Sequence, residues 1–265
     1  MGDAVNLVIE EGGLAVVTLD RPEVKNAWNL PMFEGLTATA ARLAETPGLR
    51  AVILRGAGGA FSSGLDLAVM QSFAGNLAAV KADMLNVPAG EPNRFQAPCI
   101  GWSRLPVPVI AAIEGVAYGA GLQLALAADF RIATPEARLS VREAHWGLIP
   151  DMGISQNLPR LMRADQALEL IMTGRVLAAE EALALGLLTR IAADPLAAAR
   201  ALAAAIADRS PDAVRAAKTL VQEAWTLPPG AGLAVEARLQ AALLGGPNMI
   251  EAVMANMQKR KPVFR

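Results

Sequence analysis

The sequence predicts an α/β fold with a C-terminal helical region. Short apolar runs typical of strands alternate with helical patterns in the first half of the chain, and from Ala164 onward only helical patterns remain. With 265 residues, the chain is long enough for one large domain with a helical appendage. We therefore expect an α/β core at residues 1–195 and a helical oligomerisation region at residues 196–265.

The elements before the centre of the chain follow from turn and cap residues. Gly12 and Gly13 separate two apolar runs and predict a hairpin, and Asn29 with Pro31 predicts the start of a helix. Residues 67–104 contain several prolines and predict a helix, a mobile loop and a second helix, which would either cover a substrate pocket or run over the surface. In order, we expect strands at residues 5–9, 14–19 and 51–55 and a helix from residue 29 to about residue 46.

Residues 105–129 form the stretch around which we expect the fold to be organised. An apolar run from Val109 to Ile113 predicts a buried strand, and Gly119-Ala120-Gly121 precedes a helical pattern that Asp129 closes. Small residues let a bound group approach the backbone, and the first N–H groups of a helix point outward with the positive end of its dipole. Such a turn can hold a developing negative charge, although a plain buried strand, turn and helix packed by small residues would give the same pattern. The stretch is too short and too often interrupted by polar residues for a membrane span.

The second half of the chain begins with two more strands and continues with helices. The pattern changes at residue 164, after which apolar residues recur at helical spacing. We expect strands at residues 130–133 and 137–141, and helices at residues 165–173, 178–186, 195–209, 211–225, 233–244 and 250–258.

Composition argues against several classes of function. The chain is 54% hydrophobic and 18% charged, which allows a large core and an apolar surface for an oligomer interface. A net charge of −1 without a basic block argues against nucleic acid as a partner. The single cysteine, Cys99, cannot form an internal disulfide, and with the single histidine, His145, it cannot form a usual zinc site, so we expect no metal. The N-terminal residues lack the pattern of a signal peptide, so we expect a soluble cytoplasmic protein with no membrane partner.

Motifs distributed over almost the whole chain resemble those of one protein family. The two glycine-bearing turns at residues 56–66 and 115–121 match neither a dinucleotide-binding motif nor a P-loop. Together with the other segments they resemble the crotonase (enoyl-CoA hydratase/isomerase) superfamily. The matching segments are Arg21-Pro22 with Asn26-Ala27 and residues 60–67, 108–129, 140–150, 170–175, 179–187 and 259–264.

The resemblance implies a fold and a substrate class. The fold is a crotonase-like spiral of repeated β-β-α units with a C-terminal helical region, and members usually assemble as homotrimers or homohexamers. The substrate is an acyl-CoA thioester, so coenzyme A is carried by the substrate and no separate cofactor is expected. By the family pattern, the backbone N–H groups of Leu65 and Ala120 would hold the thioester oxygen and stabilise an enolate without having to reorganise.

Two carboxylates and one amide decide which reaction the resemblance implies. Glu143 matches the family glutamate that moves a proton on the substrate carbon chain. Hydratases carry another glutamate where this chain has Gln123, and an amide cannot take a proton. Asp151 stands where hydratases usually have glycine and resembles the aspartate of dienoyl-CoA isomerases, although those also carry an acid at the position of Gln123. Two structural alternatives remain, a salt bridge from Glu143 to Arg142 or Arg163 and a helix cap for Asp151.

From these residues we expect an enzyme that transfers protons on an enoyl-CoA thioester. We favour double-bond isomerisation by Glu143 and Asp151, and the alternative is hydration with Glu143 as the main acid and base, alone or with Asp151. A non-catalytic acyl-CoA-binding protein is a further alternative, because one expected acid is missing. A serine hydrolase that uses Ser62 or Ser63 with His145 lacks the Gly-x-Ser-x-Gly turn that such a nucleophile needs.

A further set of residues is predicted to bind the substrate. Most of them match family positions near the nucleotide and pantetheine, where the contacts come largely from the backbone. Trp146, beside the carboxylates, would either line the acyl pocket or pack in the core, and the basic residues 259–261 would meet the phosphates or be solvated. The predicted substrate-binding residues are Lys25, Ala27, Ser62, Ser63, Gly64, Asp66, Gly121, Gln123 and Trp146, and Asn26 lies among them.

Overall fold

The strands of the chain form two sheets. The computed structural model describes residues 4–265. The described strands are β1 (Val5–Ile9), β2 (Leu14–Leu19), β3 (Ala51–Gly56), β4 (Val109–Ile113), β5 (Val116–Tyr118), β6 (Phe130–Ala133), β7 (Arg138–Ser140), β8 (Leu177–Ala178) and β9 (Arg190–Ile191). They form a six-stranded sheet in the order β1-β2-β3-β4-β6-β9 and a three-stranded sheet in the order β5-β7-β8.

The larger sheet opens with a hairpin and continues with parallel strands. β1 and β2 pair antiparallel, with Val5 opposite Leu19. In the turn between them Gly12 and Gly13 both have a φ of +82°, a conformation that glycine adopts without steric cost. The strands β2, β3, β4, β6 and β9 then pair in parallel. Parallel neighbours need long crossover connections, and helices supply most of these.

Four of the described helices begin at a residue whose side chain caps them. At the start of the first helix, Asn29 Oδ1 accepts a hydrogen bond from Met32 N at 3.0 Å, and Asp66, Asp194 and Ser210 cap three later helices in the same way. Each side-chain oxygen satisfies a backbone N–H that a helix start leaves unpaired. The described helices are α1 (Leu30–Ala44), α2 (Leu67–Ala74), α3 (Leu77–Leu85), α4 (Ala97–Ser103), α5 (Ala120–Ala127), α6 (Ile154–Asn157), α7 (Ala164–Thr173), α8 (Ala179–Ala184), α9 (Pro195–Ala207), α10 (Pro211–Ala224), α11 (Pro229–Leu243) and α12 (Pro247–Met257).

The hydrophobic core lies on both faces of the larger sheet. In β3, Val52 and Leu54 belong to the main core, whereas Ala51 and Ile53 belong to a smaller cluster that α9 covers with Ala199. Parallel strands that are buried on both faces appear in the sequence as continuous apolar runs, which explains why this strand shows no alternation. On the main side, α1 packs against α4, and α4 packs against α5. The central stretch, residues 105–129, thus supplies β4 to the larger sheet and α5 to the helices on its main side.

Most predicted elements are confirmed, and the differences concern short segments. The hairpin, the helix start at Asn29 and the strands at β3, β4 and β6 are confirmed. Residues 67–104 form three helices instead of the predicted two, and β5 lies inside the turn predicted after β4. The prediction of helices alone after Ala164 is wrong at β8 and β9, which have two residues each and exist through pairing with β7 and β6.

The predicted boundary between a core and a helical region stays a prediction. α9, which begins at Pro195, packs on the larger sheet, while α10, α11 and α12 pack mainly on one another. Residues 1–3, with which the predicted core begins, lie outside the described residues. Among the helices of residues 4–265, none has both the length and the apolar composition that crossing a bilayer requires.

Candidate active site

The loop after β3 lies against the segment that leads into α5. Ser62 and Ala117 form a β-bridge between the two segments. Ser62 N donates a hydrogen bond to Val116 O at 2.9 Å, and Tyr118 N donates one to Ser62 O at 3.0 Å. These bonds bring together two parts of the chain that are more than fifty residues apart in the sequence.

Glycine at positions 64 and 121 makes the close approach of these segments possible. A Cβ added to Gly64 would lie 2.8 Å from Tyr118 O and 3.6 Å from Ala120 N, and Gly64 has a φ of +93°. A Cβ added to Gly121 would lie 2.6 Å from the Cβ of Ser62. A side chain at either position would push the two segments apart.

The backbone N–H of Leu65 has no acceptor among the described residues, although its neighbours are engaged. Gly64 N donates to Ser62 Oγ at 3.1 Å, and Asp66 N donates to Trp28 O at 3.1 Å. These bonds hold the loop on both sides of Leu65. Its N–H therefore remains available to a ligand in a turn whose shape is fixed.

The N–H of Ala120 is likewise without an acceptor in the part of the chain that the structure describes. Ala120 is the first residue of α5, and the first N–H groups of a helix have no partner within it. Around it, Gly119 N donates to Ser140 O at 3.0 Å, and Gln123 N donates to Gly119 O at 2.9 Å. Two neighbouring segments thus each offer one backbone donor that has no acceptor among the described residues.

The carboxyl group of Glu143 lies beside this pair of donors. Glu143 begins a short 3₁₀ turn after β7, and a Cβ added to Gly119 would lie 3.4 Å from Glu143 Oε1. Oε1 accepts a hydrogen bond from Gln123 Nε2 at 2.6 Å. The other oxygen, Oε2, is buried and has no hydrogen-bond partner among the described residues. One carboxylate oxygen is therefore hydrogen-bonded, and the other has no partner among the described residues.

Gln123 connects Glu143 with the loop that carries Asp151. The side chain is only 1% exposed, and its Oε1 accepts a hydrogen bond from Met152 N at 2.8 Å. A backbone N–H can only donate, so the amide oxygen must face Met152 and the amide nitrogen must face Glu143. The orientation of the amide is thus determined by its neighbours.

Asp151 is a second carboxylate with a raised pKa. Burial is the main cause of the rise in the pKa of Asp151. Burial also raises the pKa of Glu143, where the charge of Asp151 adds to the rise while the hydrogen bond from Gln123 opposes it. The pKa of the fully buried Cys99 thiol is raised by its burial and by the charges of both carboxylates. The helix-cap alternative for Asp151 is wrong, because Gly153 precedes α6 and no side chain caps that helix.

The salt-bridge alternative for Glu143 is also wrong. The guanidinium group of Arg142 lies over the ring of Tyr118, 5.5 Å from its centroid, and Arg163 pairs with Asp165 at 2.6 Å. Within residues 4–265, no ion pair includes Glu143. The hydrogen bonds that favour its ionised form come from its own backbone N–H and from Gln123, and no cation is paired with it among the described residues.

Asn26, grouped with the substrate-binding residues by its position in the sequence, holds the loop from inside. The side chain is fully buried, and its Nδ2 donates to Ala57 O at 2.9 Å and to Ala60 O at 2.7 Å. Its Oδ1 accepts from Arg21 N at 2.8 Å, and its own carbonyl accepts from Ser62 Oγ at 2.9 Å. These contacts shape the loop that presents the N–H of Leu65.

The predicted substrate-binding residues at the loop surface are tied to the same framework. Arg21 Nη1 donates to Asp66 Oδ2 at 3.0 Å and to the carbonyl of Ala27 at 2.6 Å. Ser63 N donates to the carbonyl of Lys25 at 2.9 Å. The side chain of Lys25 is exposed, and its backbone adopts a φ of +51°. The structure thus collects these residues on one ordered loop system.

The hydroxyl groups of Ser62 and Ser63 are used within the fold. Ser62 Oγ donates to Asn26 O, and Ser63 Oγ donates to Val24 O at 3.1 Å. Neither hydroxyl bonds to His145, which is exposed. The residues of the predicted hydrolase alternative therefore do not form a nucleophile and base pair in this structure.

Trp146 lies at the surface next to Glu143. The side chain is 54% exposed, and it is followed by exposed Leu148 and Ile149. The prediction that Trp146 packs in the core is therefore wrong for the described chain. The alternative, that it lines an acyl pocket, stays a prediction.

Sequence reasoning missed the backbone of Met152 and the position of Cys99. The hydrogen bond from Met152 N to Gln123 joins residues 29 positions apart, and no motif signals it. Cys99 lies near enough to both carboxylates for their charges to act on it. Among the described residues, no group of three or more His, Cys, Asp or Glu could hold a metal ion.

Comparison with known proteins identifies the family. Residues 9–265 match the family model described as enoyl-CoA hydratase/isomerase. The chain belongs to the enoyl-CoA hydratase/isomerase family. A protein of Rhodobacter capsulatus named "Probable enoyl-CoA hydratase" is 37% identical over 95% of this chain and 94% of its own length. A protein of Rhizobium meliloti with the same name is 33% identical over 98% of this chain and 97% of its own length.

Two solved structures have the same fold as this chain. The enoyl-CoA hydratase of Bacillus anthracis is 31% identical, has a TM-score of 0.88 and matches over 98% of both chains. DspI of Pseudomonas aeruginosa is 31% identical, also has a TM-score of 0.88 and matches over 100% of this chain and 97% of its own. The chain is thus a crotonase-fold enzyme of the enoyl-CoA hydratase/isomerase class.

Proposed function

We propose that this enzyme isomerises a carbon–carbon double bond of an enoyl-CoA thioester. The observation that carries the proposal is the contact between Gln123 and Glu143, at 2.6 Å. Gln123 cannot accept or release a proton, so the site offers one carboxylate at this contact instead of two. The second titratable carboxylate near Glu143 is Asp151. A pair of carboxylates that passes a proton between two carbons suits isomerisation.

In the proposed reaction, Glu143 removes a proton from a carbon of the acyl chain. The electron pair of the broken C–H bond moves into the conjugated system, and the thioester oxygen takes the negative charge. The free N–H groups of Leu65 and Ala120 stabilise this oxygen by donating hydrogen bonds to it. Loss of one such donor typically raises the activation free energy by about 2.7–4 kcal/mol. Protonated Asp151 then returns a proton at another carbon of the chain, so the product has the formula of the substrate. A proton exchange between the carboxyl groups and water resets the pair.

The raised pKa values suit this division of roles. A carboxyl group is a better base when its pKa lies closer to the working pH, and burial moves both pKa values in that direction. The charge of Asp151 also raises the pKa of Glu143, because like charges repel. Such a pair favours a state with one proton, in which one member is the base and the other is the acid.

For substrate binding, we propose that the loop system around residues 25–27 and 62–66 contacts the coenzyme A part of the thioester. Lys25 is exposed at this loop system, and Ser63 and Asp66 lie in the same part of the chain. Gly64 and Gly121 allow the two segments that carry the N–H groups of Leu65 and Ala120 to lie close together, which supports this proposal. Since the substrate carries coenzyme A, the proposal needs no separate cofactor.

Hydration of the double bond is the second candidate. The names of the relatives from Rhodobacter capsulatus and Rhizobium meliloti favour it. In this case Glu143, alone or with Asp151, would activate the water molecule that adds to the chain. A protein that only binds acyl-CoA is a further candidate, because Gln123 removes one proton-transfer group.

The deciding experiment exposes the purified protein to 2-enoyl-, 3-enoyl- and 3,5-dienoyl-CoA in deuterated water and follows mass and ultraviolet absorbance. Isomerisation incorporates deuterium, shifts the absorbance and leaves the heavy-atom formula unchanged. A gain of one water mass overturns the proposal in favour of hydration. The variant Glu143→Gln should lose turnover while still binding the CoA ester. If neither the natural protein nor Glu143→Gln turns over any of the three CoA esters while both still bind them, the protein that only binds acyl-CoA is favoured.

We further propose that the enzyme is a homotrimer or homohexamer assembled through its C-terminal helices. One stripe of α12 is apolar and exposed, and its members are Ile250, Val253, Met254 and Met257. Residues at this spacing lie on one face of a helix. Contiguous exposed apolar surface of this kind is typical of interfaces between proteins.

A further inference from the structure

We propose that Gln123 is a positioning residue that assigns different roles to the two oxygen atoms of Glu143 and ties them to the loop of Asp151. In this role Gln123 takes no part in proton transfer itself. The inference rests on the proposed function in one respect, since the positioning matters for turnover only if Glu143 moves a proton.

The first support is the direction of the two hydrogen bonds. Met152 N donates to Gln123 Oε1 at 2.8 Å, and Gln123 Nε2 donates to Glu143 Oε1 at 2.6 Å. Because the amide nitrogen has no lone pair to accept with, Glu143 Oε1 must present a lone pair to it. A proton on Glu143 is therefore favoured on Oε2, because a carbonyl oxygen at Oε1 accepts from the amide more strongly than a hydroxyl oxygen would, and Gln123 in this way selects the oxygen that exchanges a proton with the substrate.

The second support is the state of Glu143 Oε2. This atom is buried and lacks a hydrogen-bond partner among the described residues, which is costly for a polar atom unless a ligand meets it. Oε1, by contrast, is held between Gln123 and the start of α5, where a Cβ on Gly119 would lie 3.4 Å away. The carboxyl group thus has a fixed side and an open side.

The third support is the charge around Glu143. The charge of Asp151 acts on Glu143, and the charge of Glu143 acts on Cys99. Both Asp151 and Cys99 are neutral or negative, so neither supplies a positive charge. The nearest arginine in the sequence, Arg142, stacks over Tyr118 instead. Among the side chains that the structure describes, Gln123 is therefore the one that donates a hydrogen bond to Glu143 and so favours its ionised form.

A carboxylate at position 123 would not supply the same contact. An ionised glutamate is an acceptor only, so at 2.6 Å from Glu143 the two groups would repel unless they shared a proton. It would still accept the hydrogen bond from Met152 N. A neutral amide provides both bonds at once and keeps Glu143 free to ionise.

The test compares Gln123→Met with Gln123→Glu in the full-length protein. The first variant keeps the length of the side chain and removes both hydrogen bonds, whereas the second keeps the acceptor for Met152 N and removes the neutral donor. The pKa of Glu143 is measured by carbon-13 NMR of glutamate-labelled protein, with Glu143→Gln used to assign the signal. The pH dependence of kcat/KM is measured in parallel. Gln156→Met, at an exposed position beyond the site, is the matched control.

We expect the pKa of Glu143 and the acidic limb of kcat/KM to move upward together in both variants, with a larger movement in Gln123→Glu. The KM for the CoA ester should change much less than kcat, and Gln156→Met should match the natural protein. A loss of thermal stability with an unchanged pKa of Glu143 would show a purely structural role and would overturn the inference. If Gln123→Met does not fold, the pKa of Glu143 and the acidic limb of kcat/KM in Gln123→Glu decide whether the inference stands.

The NMR reading also separates this inference from the proposed function. It needs no substrate, so a shifted pKa in proteins that isomerise none of the three CoA esters would reject the isomerase and keep the positioning role. Isomerisation by the natural protein, with neither the pKa nor the acidic limb moved by either variant, would reject the positioning role and keep the isomerase.

Discussion

Lys218 on α10 and Asp129, just after α5, form an ion pair with 2.7 Å between Nζ and Oδ2. Lys218 Nζ also donates to the carbonyl of Val107 at 3.0 Å, and Asp129 Oδ2 accepts from Val109 N at 2.8 Å. The side chains are only 7% and 23% exposed. The pair thus fastens a C-terminal helix to both ends of the central stretch, whose middle carries the N–H of Ala120.

Replacing Lys218 by Met should destabilise the protein by about 3 kcal/mol, the lower end of the range for breaking a buried ion pair. The loss leaves Asp129 partly buried without its cation. Urea unfolding measures it, and Lys81→Met, at an exposed position of α3, is the control. A loss below about 1 kcal/mol, as is usual for a surface pair, would contradict this interpretation of the contact.

Replacing Gly64 by Ala should lower kcat/KM by a factor of about 100 or more, the typical effect of losing one oxyanion donor. The new Cβ would lie 2.8 Å from Tyr118 O, so the loop must shift and carry the N–H of Leu65 with it. Gly59→Ala is the matched control, because Gly59 also has a positive φ but no atom within 4 Å of the added Cβ. Equal losses of activity in the two variants would mean that backbone strain, and not the displaced donor, is responsible.

These contacts indicate how much of the site could be predicted from the sequence. Glu143, Gln123 and the two glycine-bearing segments stood out because their motifs are local and contiguous. The bond between Met152 N and Gln123 could not be predicted, because it involves a backbone atom and depends on how two distant segments pack. The same holds for Asn26, which was grouped with the substrate-binding residues by its motif, whereas its side chain is fully buried and holds the loop from inside.

The fold was predictable to a similar degree and for similar reasons. Apolar runs and caps such as Asn29 determine the long elements, because propensity and pattern agree there. Strands β8 and β9 have too few residues for any pattern and form only because β7 and β6 offer free edges. The exposure of Trp146 could not be predicted either, because residue type alone favours a largely buried position for a tryptophan.

Replacing Val253 by Asp should reduce the mass of the assembly in sedimentation velocity. A charge in the centre of the exposed apolar stripe of α12 would have to be buried in an interface, at a large desolvation cost. Gln71→Asp introduces the same charge at an exposed position of a different helix, α2, and should leave the mass unchanged. An unchanged mass for Val253→Asp would exclude this stripe from the interface.

Replacing Glu143 by Gln should make the protein more stable at neutral and higher pH, and the gain should disappear at about pH 4, near the ordinary pKa of glutamate. Burial raises the pKa of Glu143 in the folded protein, so the folded state binds this proton more tightly than the unfolded state does. The stabilisation that this proton gives to the folded natural protein is fully present below the pKa of Glu143 in the unfolded state. It is lost as the pH rises through the pKa of Glu143 in the folded state. Glutamine stays neutral and avoids that loss. Glu34→Gln, at an exposed position of α1, should show no such dependence, and a parallel pH profile for Glu143→Gln would argue against a buried charge.

Replacing Asp151 by Asn should separate proton removal from isomerisation. In the proposed reaction Glu143 removes the proton and Asp151 delivers one at the other carbon, so the variant keeps the first step and loses the second. In deuterated water the substrate should then still exchange its acidic hydrogen while the double bond stays in place. NMR of the recovered CoA ester measures both changes at once, and Asp165→Asn, which alters an exposed ion pair, is the control. Full isomerisation by Asp151→Asn would show that Glu143 carries the proton between both carbons alone, and a loss of both exchange and isomerisation would place Asp151 in the first step.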